Sequence, residues 1–155
     1  LNSAGHNRGN AMIDRLVAAI DGSEAAKRSL DTMINLAKAM TTQPDIVLVS
    51  VKVPMPPLTG MGVVVSEDLL DAYYEKAQQE TLAAAEQKLS AAGLKYSVRK
   101  ELGDPAEFIV RAAEETGAKM IFMGSRGMGA FGNLMLGSTS NKVLHLSKVP
   151  VVVTQ

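Results

Sequence analysis

Arg15-Leu-Val-Ala-Ala-Ile20 is a short apolar run that ends at the turn residues Asp21-Gly22-Ser23. A run of this length, closed by Asp-Gly, is typical of a buried β-strand that meets a tight turn. In residues 24–41 the apolar side chains then recur at the spacing of one helix face. A strand followed at once by an amphipathic helix predicts the repeating unit of an α/β fold.

The same alternation continues to the end of the chain. Further strands are predicted at residues 46–53, 96–102, 120–123 and 149–153, and further helices at about 66–92, 105–117 and 138–146. Residues 54–62, rich in proline and glycine, are predicted to form a long connection. Five strands alternating with four helices predict a doubly wound sheet of parallel strands, with helices on both faces and ligands at the carboxyl ends of the strands.

Length and composition limit the class of protein. The 155 residues suit one domain, and 46% apolar with 21% charged residues exclude a chain disordered by composition. No apolar run approaches the roughly 20 residues of a membrane span. The absence of cysteine excludes disulfides and thiol catalysis, and two histidines are too few to predict a transition-metal site.

Residues 1–10 are polar and aperiodic, and they lack the apolar core of a secretory signal. We therefore expect them to be a flexible arm in front of one domain over residues 11–155. With neither a signal nor a membrane span, we expect a cytoplasmic protein without a membrane partner.

The charges are balanced in number but not in position. Sixteen basic and sixteen acidic residues argue against a whole-domain contact with nucleic acid. Residues 116–155, however, contain four basic side chains and no acidic one, and five of the 13 glycines lie between Gly124 and Gly137. This basic, glycine-rich quarter is where we expect the binding chemistry.

The glycine-rich segment overlaps two known nucleotide-binding patterns. Gly127, Gly129 and Gly132 match G-x-G-x-x-G, but a dinucleotide fold places that motif after its first strand, with an acidic residue about 20 positions later. Here it follows the fourth strand, and no acidic residue lies downstream. Residues 132–138 nearly fit a P-loop, with Ser138 in place of the lysine required for phosphoryl transfer. Neither pattern explains the segment.

A third pattern, Gly124-x2-Gly127-x9-Gly137-Ser138, resembles the nucleotide-binding signature of the universal stress proteins, with no departure in spacing. The resemblance extends to residues 17–23 and 149–153, and therefore covers residues 12–155. It implies the strand order 3-2-1-4-5 of the adenine nucleotide alpha hydrolase-like folds. It also implies a stress-response protein of the ATP-binding subgroup, whose ligand is ATP, with AMP or ADP as alternatives.

The glycines and hydroxyls have a physical rationale of their own. Glycine lets the backbone adopt positive φ and approach a ligand closely, at Gly124 and Gly127 after a strand and at Gly137 before a helix. Ser138, Thr139 and Ser140 then offer hydroxyls and amides at a helix N-terminus, which favours anions by about 0.3–1 kcal/mol per charge. The alternative is a loop with an ordinary serine cap. The Arg126 side chain is either solvated or in contact with phosphate.

The resemblance also implies contacts from other strands. Asp21 lies against the adenine–ribose part of the nucleotide in the family, and Val51 corresponds to the residue whose backbone reads adenine. The family often has histidine just before that residue; here it is Ser50, which cannot supply an imidazole. The nucleotide-binding residues predicted are Ala19, Ile20, Asp21, Ser23, Val51, Met123, Gly124, Arg126, Gly127, Gly129, Gly137, Ser138, Thr139 and Ser140.

No catalytic set is visible, so the residues predict binding rather than turnover; slow ATP hydrolysis or self-phosphorylation is left open. We expect no protein metal site, and Mg²⁺ or Mn²⁺ would be carried by the nucleotide phosphates near Asp21. An ATP-cleaving or adenylyl-transferring enzyme of related fold would need a second motif that residues 21–23 do not supply. A dimeric scaffold that no longer binds nucleotide is the third alternative.

The last strand, from Val149 to Val153, is apolar and β-branched, and it would be an exposed edge if the sheet ended there. Pairing with the same strand of a second copy would bury both edges in a two-fold homodimer. The resemblance implies the same dimer, and a covering helix or loop is the alternative.

Overall fold

Parallel strands and helices alternate along the chain, as predicted. The computed structural model describes residues 12–56, 65–127 and 136–155. Its elements are β1 (Arg15–Ala19), α1 (Glu24–Ala39), β2 (Asp45–Lys52), α2 (Glu67–Ala91), β3 (Tyr96–Leu102), α3 (Pro105–Thr116), β4 (Met120–Gly124), α4 (Ser138–Leu146) and β5 (Val151–Thr154). None of these helices is both long enough and apolar enough to cross a membrane.

The strand order is β3-β2-β1-β4-β5, with all neighbouring pairs parallel, which confirms the predicted fold. β1 is the centre of the sheet, with β2 on one side and β4 on the other. The chain winds first from β1 towards β3 and then from β1 towards β5. A crevice forms at the carboxyl ends of the strands where the winding direction reverses.

The two faces of the sheet bury separate apolar cores because alternate strand residues point to opposite sides. Leu16, Leu48 and Phe122 pack with α1 and α2 on one face. Val17, Val49 and Ile121 pack with α3 and α4 on the other. Burial on both faces explains why β4, and β1 after Arg15, are apolar.

Side-chain caps fix the starts of two helices. The Ser23 hydroxyl accepts the Ala26 N–H at 3.1 Å at the start of α1. The Asp104 carboxylate accepts the Glu107 N–H at 3.1 Å at the start of α3, where Pro105 occupies the first turn. Serine and aspartate are favoured N-cap residues, and proline is favoured at the first helical position. They orient the two helices whose first turns reach the carboxyl edge of the sheet.

β5 is shorter at its start than predicted. It begins at Val151 because Pro150 has no N–H to give to the sheet, although the Pro150 carbonyl still accepts the Ile121 N–H at 3.0 Å. The predicted arm over residues 1–10, most of the connection over residues 54–62 and Gly129 lie outside the described residues.

Candidate functional site

A cleft opens at the carboxyl ends of β1, β2 and β4, on the face of the sheet that α3 and α4 cover. Its volume is about 530 Å³ including the open mouth. The residues that line it are Ala19, Ile20, Asp21, Ala26, Val49, Val51, Pro105, Ile109, Met123, Gly124, Arg126, Gly127, Thr139 and Ser140. Most are apolar, and the polar groups gather towards Asp21 and the start of α4.

Ten of the predicted ligand residues line this one cleft. They come from the ends of three strands and from the start of α4, segments up to about 120 residues apart in sequence. Ser23 lies behind the β1–α1 turn, and Gly137 and Ser138 begin α4 beside the cleft. Gly129 lies outside the described residues.

The turn after β1 directs one carboxylate towards the cleft. Asp21 Oδ1 accepts the Ser23 N–H at 2.9 Å, which holds the turn. The other oxygen, Oδ2, lies next to Gly127: a Cβ added there would be 3.0 Å from it. The Ser23 hydroxyl donates to the Arg126 carbonyl at 3.3 Å, in addition to capping α1. Ser23 thus joins the turn to the loop after β4, while Asp21 keeps one oxygen at the cleft.

The glycines allow close packing rather than unusual backbone angles. A Cβ on Gly124 would lie 2.7 Å from the Ala26 nitrogen and 2.8 Å from the Ala25 Cβ, so glycine lets α1 approach the end of β4. The positive φ expected at Gly124, Gly127 and Gly137 is wrong. The positive-φ glycines among the described residues are Gly22, Gly93, Gly103 and Gly117.

The start of α4 is tied to the end of β4. Gly137 is the N-cap residue, and its N–H donates to the Ser125 carbonyl at 2.7 Å. The buried Ser140 hydroxyl donates towards the carbonyls of Gly124 and Ser125, at 3.0 and 2.9 Å. The proton of this hydroxyl therefore serves the fold, whereas we had expected it to face the ligand. Ser138 and Thr139 occupy the first turn, where helix amides favour an anion.

The backbone of Val51 faces the cleft. Successive residues of a parallel strand direct their N–H and C=O groups to opposite neighbours. The Val49 carbonyl accepts the Ile20 N–H at 2.9 Å on the β1 side, and the Lys52 carbonyl accepts the Gly103 N–H at 2.9 Å on the β3 side. Val51 therefore faces the β1 side. Within the described residues the Ile20–Val49 bond is the last between β1 and β2, so Val51 offers one donor and one acceptor beyond the end of β1.

Two of the four basic residues in the last quarter are paired with acids of α3. Lys142 lies 2.9 Å from Asp104 and 3.0 Å from Glu107, and Lys148 lies 2.8 Å from Glu114. The hydrogen bond from Lys142 lowers the pKa of Asp104, and Asp104 in turn raises the pKa of Lys142. Of the basic side chains in the described residues, only Arg126 lines the cleft. Half of the surplus positive charge inferred from the sequence is thus paired with acidic side chains within the fold.

Four lining residues were not predicted: Ala26, Val49, Pro105 and Ile109. Ala26, Val49 and Ile109 are apolar and buried, so the sequence pattern does not distinguish them from ordinary core residues. Pro105 carried a usable signal, because it follows β3 and the carboxyl ends of all parallel strands share one edge. In the described residues no three His, Asp or Glu side chains come together as a metal site.

The geometry can be compared with known proteins. A family model described as the universal stress protein family matches residues 12–155. The chain belongs to the universal stress protein family. The universal stress protein YxiE of Bacillus subtilis is 33% identical over 149 residues, covering 93% of this chain and all of YxiE.

Two solved structures share the fold of this family member and were determined with nucleotides. A universal stress protein in complex with cAMP has a TM-score of 0.65 and 22% identity, covering 92% of this chain and 97% of that one. A family protein from Arabidopsis thaliana with AMP bound has a TM-score of 0.61 and 15% identity, covering 90% of each chain.

Proposed function

We propose that this universal stress protein binds an adenine nucleotide, foremost ATP, in the cleft between β1, β2, β4 and α4. The protein would act in stress response through its nucleotide-bound state, with at most slow hydrolysis. The observation that carries the proposal is the gathering of ten of the predicted residues around one cleft. The cAMP and AMP complexes of two proteins with this fold support the same ligand class.

The cleft suits adenine on its apolar side. Val49, Ile109 and Met123 supply apolar surface for the faces of a base. The Val51 N–H and C=O, adjacent on one strand edge, would pair with the N1 acceptor and the 6-amino donor of adenine. Guanine presents a carbonyl and an N–H at the same two positions, so its donor and acceptor are exchanged. The backbone of β2 therefore favours adenine over guanine without any base-reading side chain.

The polar side of the cleft suits ribose and phosphate. Asp21 Oδ2 is an acceptor for ribose hydroxyls, because Oδ1 is engaged by the Ser23 N–H. The first turn of α4, with Ser138 and Thr139, and the neighbouring Gly127 and Arg126 would contact the phosphates. Mg²⁺ or Mn²⁺ would be held mainly by phosphate oxygens, since Asp21 is the single carboxylate that lines the cleft in the described chain.

The two edges of the sheet differ in a way that favours a homodimer through β5. Edge strand β3 is charged: Arg99 pairs with Glu115 and Lys100 with Glu75. β5 is apolar, half-buried, and pairs with β4 alone among the described strands. Charge on an edge strand discourages strand addition, whereas a bare apolar edge favours it. Light scattering tests this dimer, and a monomer at micromolar concentration would contradict it.

The test of binding is calorimetry with ATP, ADP and AMP in the presence of Mg²⁺. We expect Asp21→Asn to weaken ATP binding by about tenfold or more, since a hydrogen bond to a charged group contributes about 1.5–3 kcal/mol. The matched control is Asp14→Asn, which makes the same charge change at an exposed position beside the other end of β1 and should leave binding unchanged. Gly127→Val should abolish binding with the fold intact, because its side chain would meet Asp21.

An enzyme of related fold is distinguished by turnover. Because Asp21 is the single carboxylate that lines the cleft among the described residues, we expect ATP hydrolysis well below about 1 s⁻¹, the low end of ordinary enzyme rates. A faster rate that Asp21→Asn abolishes would replace the binding role with an enzymatic one. If nucleotide-free wild-type protein binds none of the three nucleotides, the remaining alternative is a dimeric scaffold that does not bind nucleotide.

A further inference from the structure

Three charged side chains join the start of α3 to the second turn of α4 beside the cleft. Lys142 Nζ lies 2.9 Å from Asp104 Oδ2 and 3.0 Å from Glu107 Oε1. Asp104 is also the N-cap of α3, because its Oδ1 accepts the Glu107 N–H at 3.1 Å. Lys142 therefore contacts the same carboxylate that starts α3, and through it the backbone of the first turn.

The helices joined in this way form two walls of the cleft. α3 contributes Pro105 and Ile109, and α4 contributes Thr139 and Ser140. The α4 wall is fixed to the sheet, because the Ser140 hydroxyl bonds to the end of β4. On the exposed side, Lys142 connects the α3 wall to α4 through its ion pairs with Asp104 and Glu107.

We propose that Lys142 is a positioning residue for the nucleotide: it holds the first turn of α3 against α4 and so keeps the cleft at the width that binds adenosine. This inference rests on the proposed function. Without Lys142, the two acidic side chains at the start of α3 lose their shared counter-ion, and the closed arrangement becomes less populated. The apparent affinity then falls in proportion to the population of that arrangement.

A direct phosphate contact is the competing role for Lys142. It lies one helical turn after Thr139, and side chains on a helix point towards its N-terminus, where the phosphates would bind. The two roles differ in one measurable respect. A positioning residue affects adenosine and ATP alike, whereas a phosphate contact affects ATP and leaves uncharged adenosine unchanged.

The experiment is calorimetry with adenosine and with MgATP on wild type, Lys142→Met and Lys142→Arg. The matched control is Lys148→Met, which breaks the 2.8 Å ion pair between Lys148 and Glu114 at the other end of α3. We expect Lys142→Met to weaken both ligands about threefold to fivefold, the effect that an exposed ion pair can supply. Lys142→Arg should stay within about twofold of wild type, and Lys148→Met should match wild type. The proposal would be overturned if Lys142→Met weakened the binding of ATP but not of adenosine, if Lys142→Met and Lys148→Met weakened binding equally, or if Lys142→Met left binding unchanged.

A second readout keeps this test independent of the ligand. Amide hydrogen exchange without nucleotide should quicken in Lys142→Met at the hydrogen-bonded amides near the starts of α3 and α4, which are those of Glu107, Phe108 and Asn141, and stay at the wild-type rate there in Lys148→Met. If wild type binds neither adenosine nor ATP, the proposed function fails. The exchange rates then still decide whether Lys142 holds the two helices together.

Discussion

Two glycines of the signature should respond in opposite ways to the same small substitution. In Gly124→Ala the new Cβ would lie 2.7, 2.8 and 2.9 Å from the Ala26 nitrogen, the Ala25 Cβ and the Ala25 carbonyl carbon. All three atoms belong to the first turn of α1, which the Ser23 cap and the sheet hold in place. In Gly127→Ala the nearest atom is Asp21 Oδ2 at 3.0 Å, the end of a side chain that can rotate.

The magnitudes follow from these contacts. Overpacking against fixed groups costs about 1–3 kcal/mol, so Gly124→Ala should lower the free energy of unfolding by about that amount. With urea m-values of about 1–3 kcal/mol/M, the midpoint should fall by about 1 M. Gly127→Ala should change the free energy of unfolding by less than about 0.5 kcal/mol. It should nevertheless weaken ATP binding by about tenfold, because Asp21 must turn away from the ribose position.

The assay is urea unfolding at 25 °C for both variants, followed by calorimetry with MgATP. Gly124→Ala with wild-type stability would refute the close packing of α1 against β4 as the reason for that glycine. Gly127→Ala with wild-type affinity would refute the placement of Asp21 in the binding site. An equal loss of stability in both variants would mean that the signature serves the fold alone.

Three further predictions concern buried polar groups and the ion pairs of α3. Ser29→Ala should raise the free energy of unfolding by about 1 kcal/mol and the melting temperature by about 3 °C. The reason is that the buried Ser29 hydroxyl has no hydrogen-bond partner among the described residues, and alanine favours helix α1. A lower melting temperature would contradict this prediction. Gln78→Leu should cost about 2 kcal/mol in urea unfolding, since the Gln78 amide donates to the carbonyls of Ser50 and Glu101 at 3.0 and 2.9 Å and joins α2 to β2 and β3; wild-type stability would exclude that bridge. Asp104→Asn keeps a capping side chain but removes the charge. Folding lowers the pKa of Asp104 from its ordinary 3.8, so the ionised carboxylate stabilises the folded protein above pH 3.8, and this stabilisation is lost as the pH falls below that value. The stability difference between wild type and Asp104→Asn should therefore vanish in acid, and a difference that persists there would contradict the ion pair.

The fold could be predicted because every element carries its own signal. The apolar runs of β1 and β4 are buried on both faces, the Ser23 and Asp104 caps start their helices, and the glycine spacing places the loop after β4. The sites on the loops followed from one rule, the shared carboxyl edge of parallel strands. That rule places the ligand loops at one edge of the sheet, and the resemblance to the universal stress proteins supplied Asp21, Val51 and Gly127 as the contacts there.

What the sequence could not indicate depends on the packing between distant elements. Val49 and Ile109 line the cleft with the same residue types that fill the core, so no pattern separates the two roles. The sequence indicated that the positive charge of the last quarter was available for phosphate. In the structure, however, Lys142 and Lys148 form ion pairs with acidic residues at the start and near the end of α3. Gly124 was expected to serve a ligand, and the structure adds that its missing side chain makes room for α1. Each of these depends on which helix lies opposite, which only the three-dimensional structure determines.

The most direct test of the nucleotide cleft is calorimetric titration of nucleotide-free wild-type protein with MgATP and, separately, with MgGTP. The Val51 backbone, Asp21 and the start of α4 predict saturable binding of one ATP per chain and at least about tenfold weaker binding of GTP. Equal affinity for the two nucleotides would contradict base recognition by β2. No detectable binding of ATP at about 1 mM would contradict the assignment of the cleft as a nucleotide site.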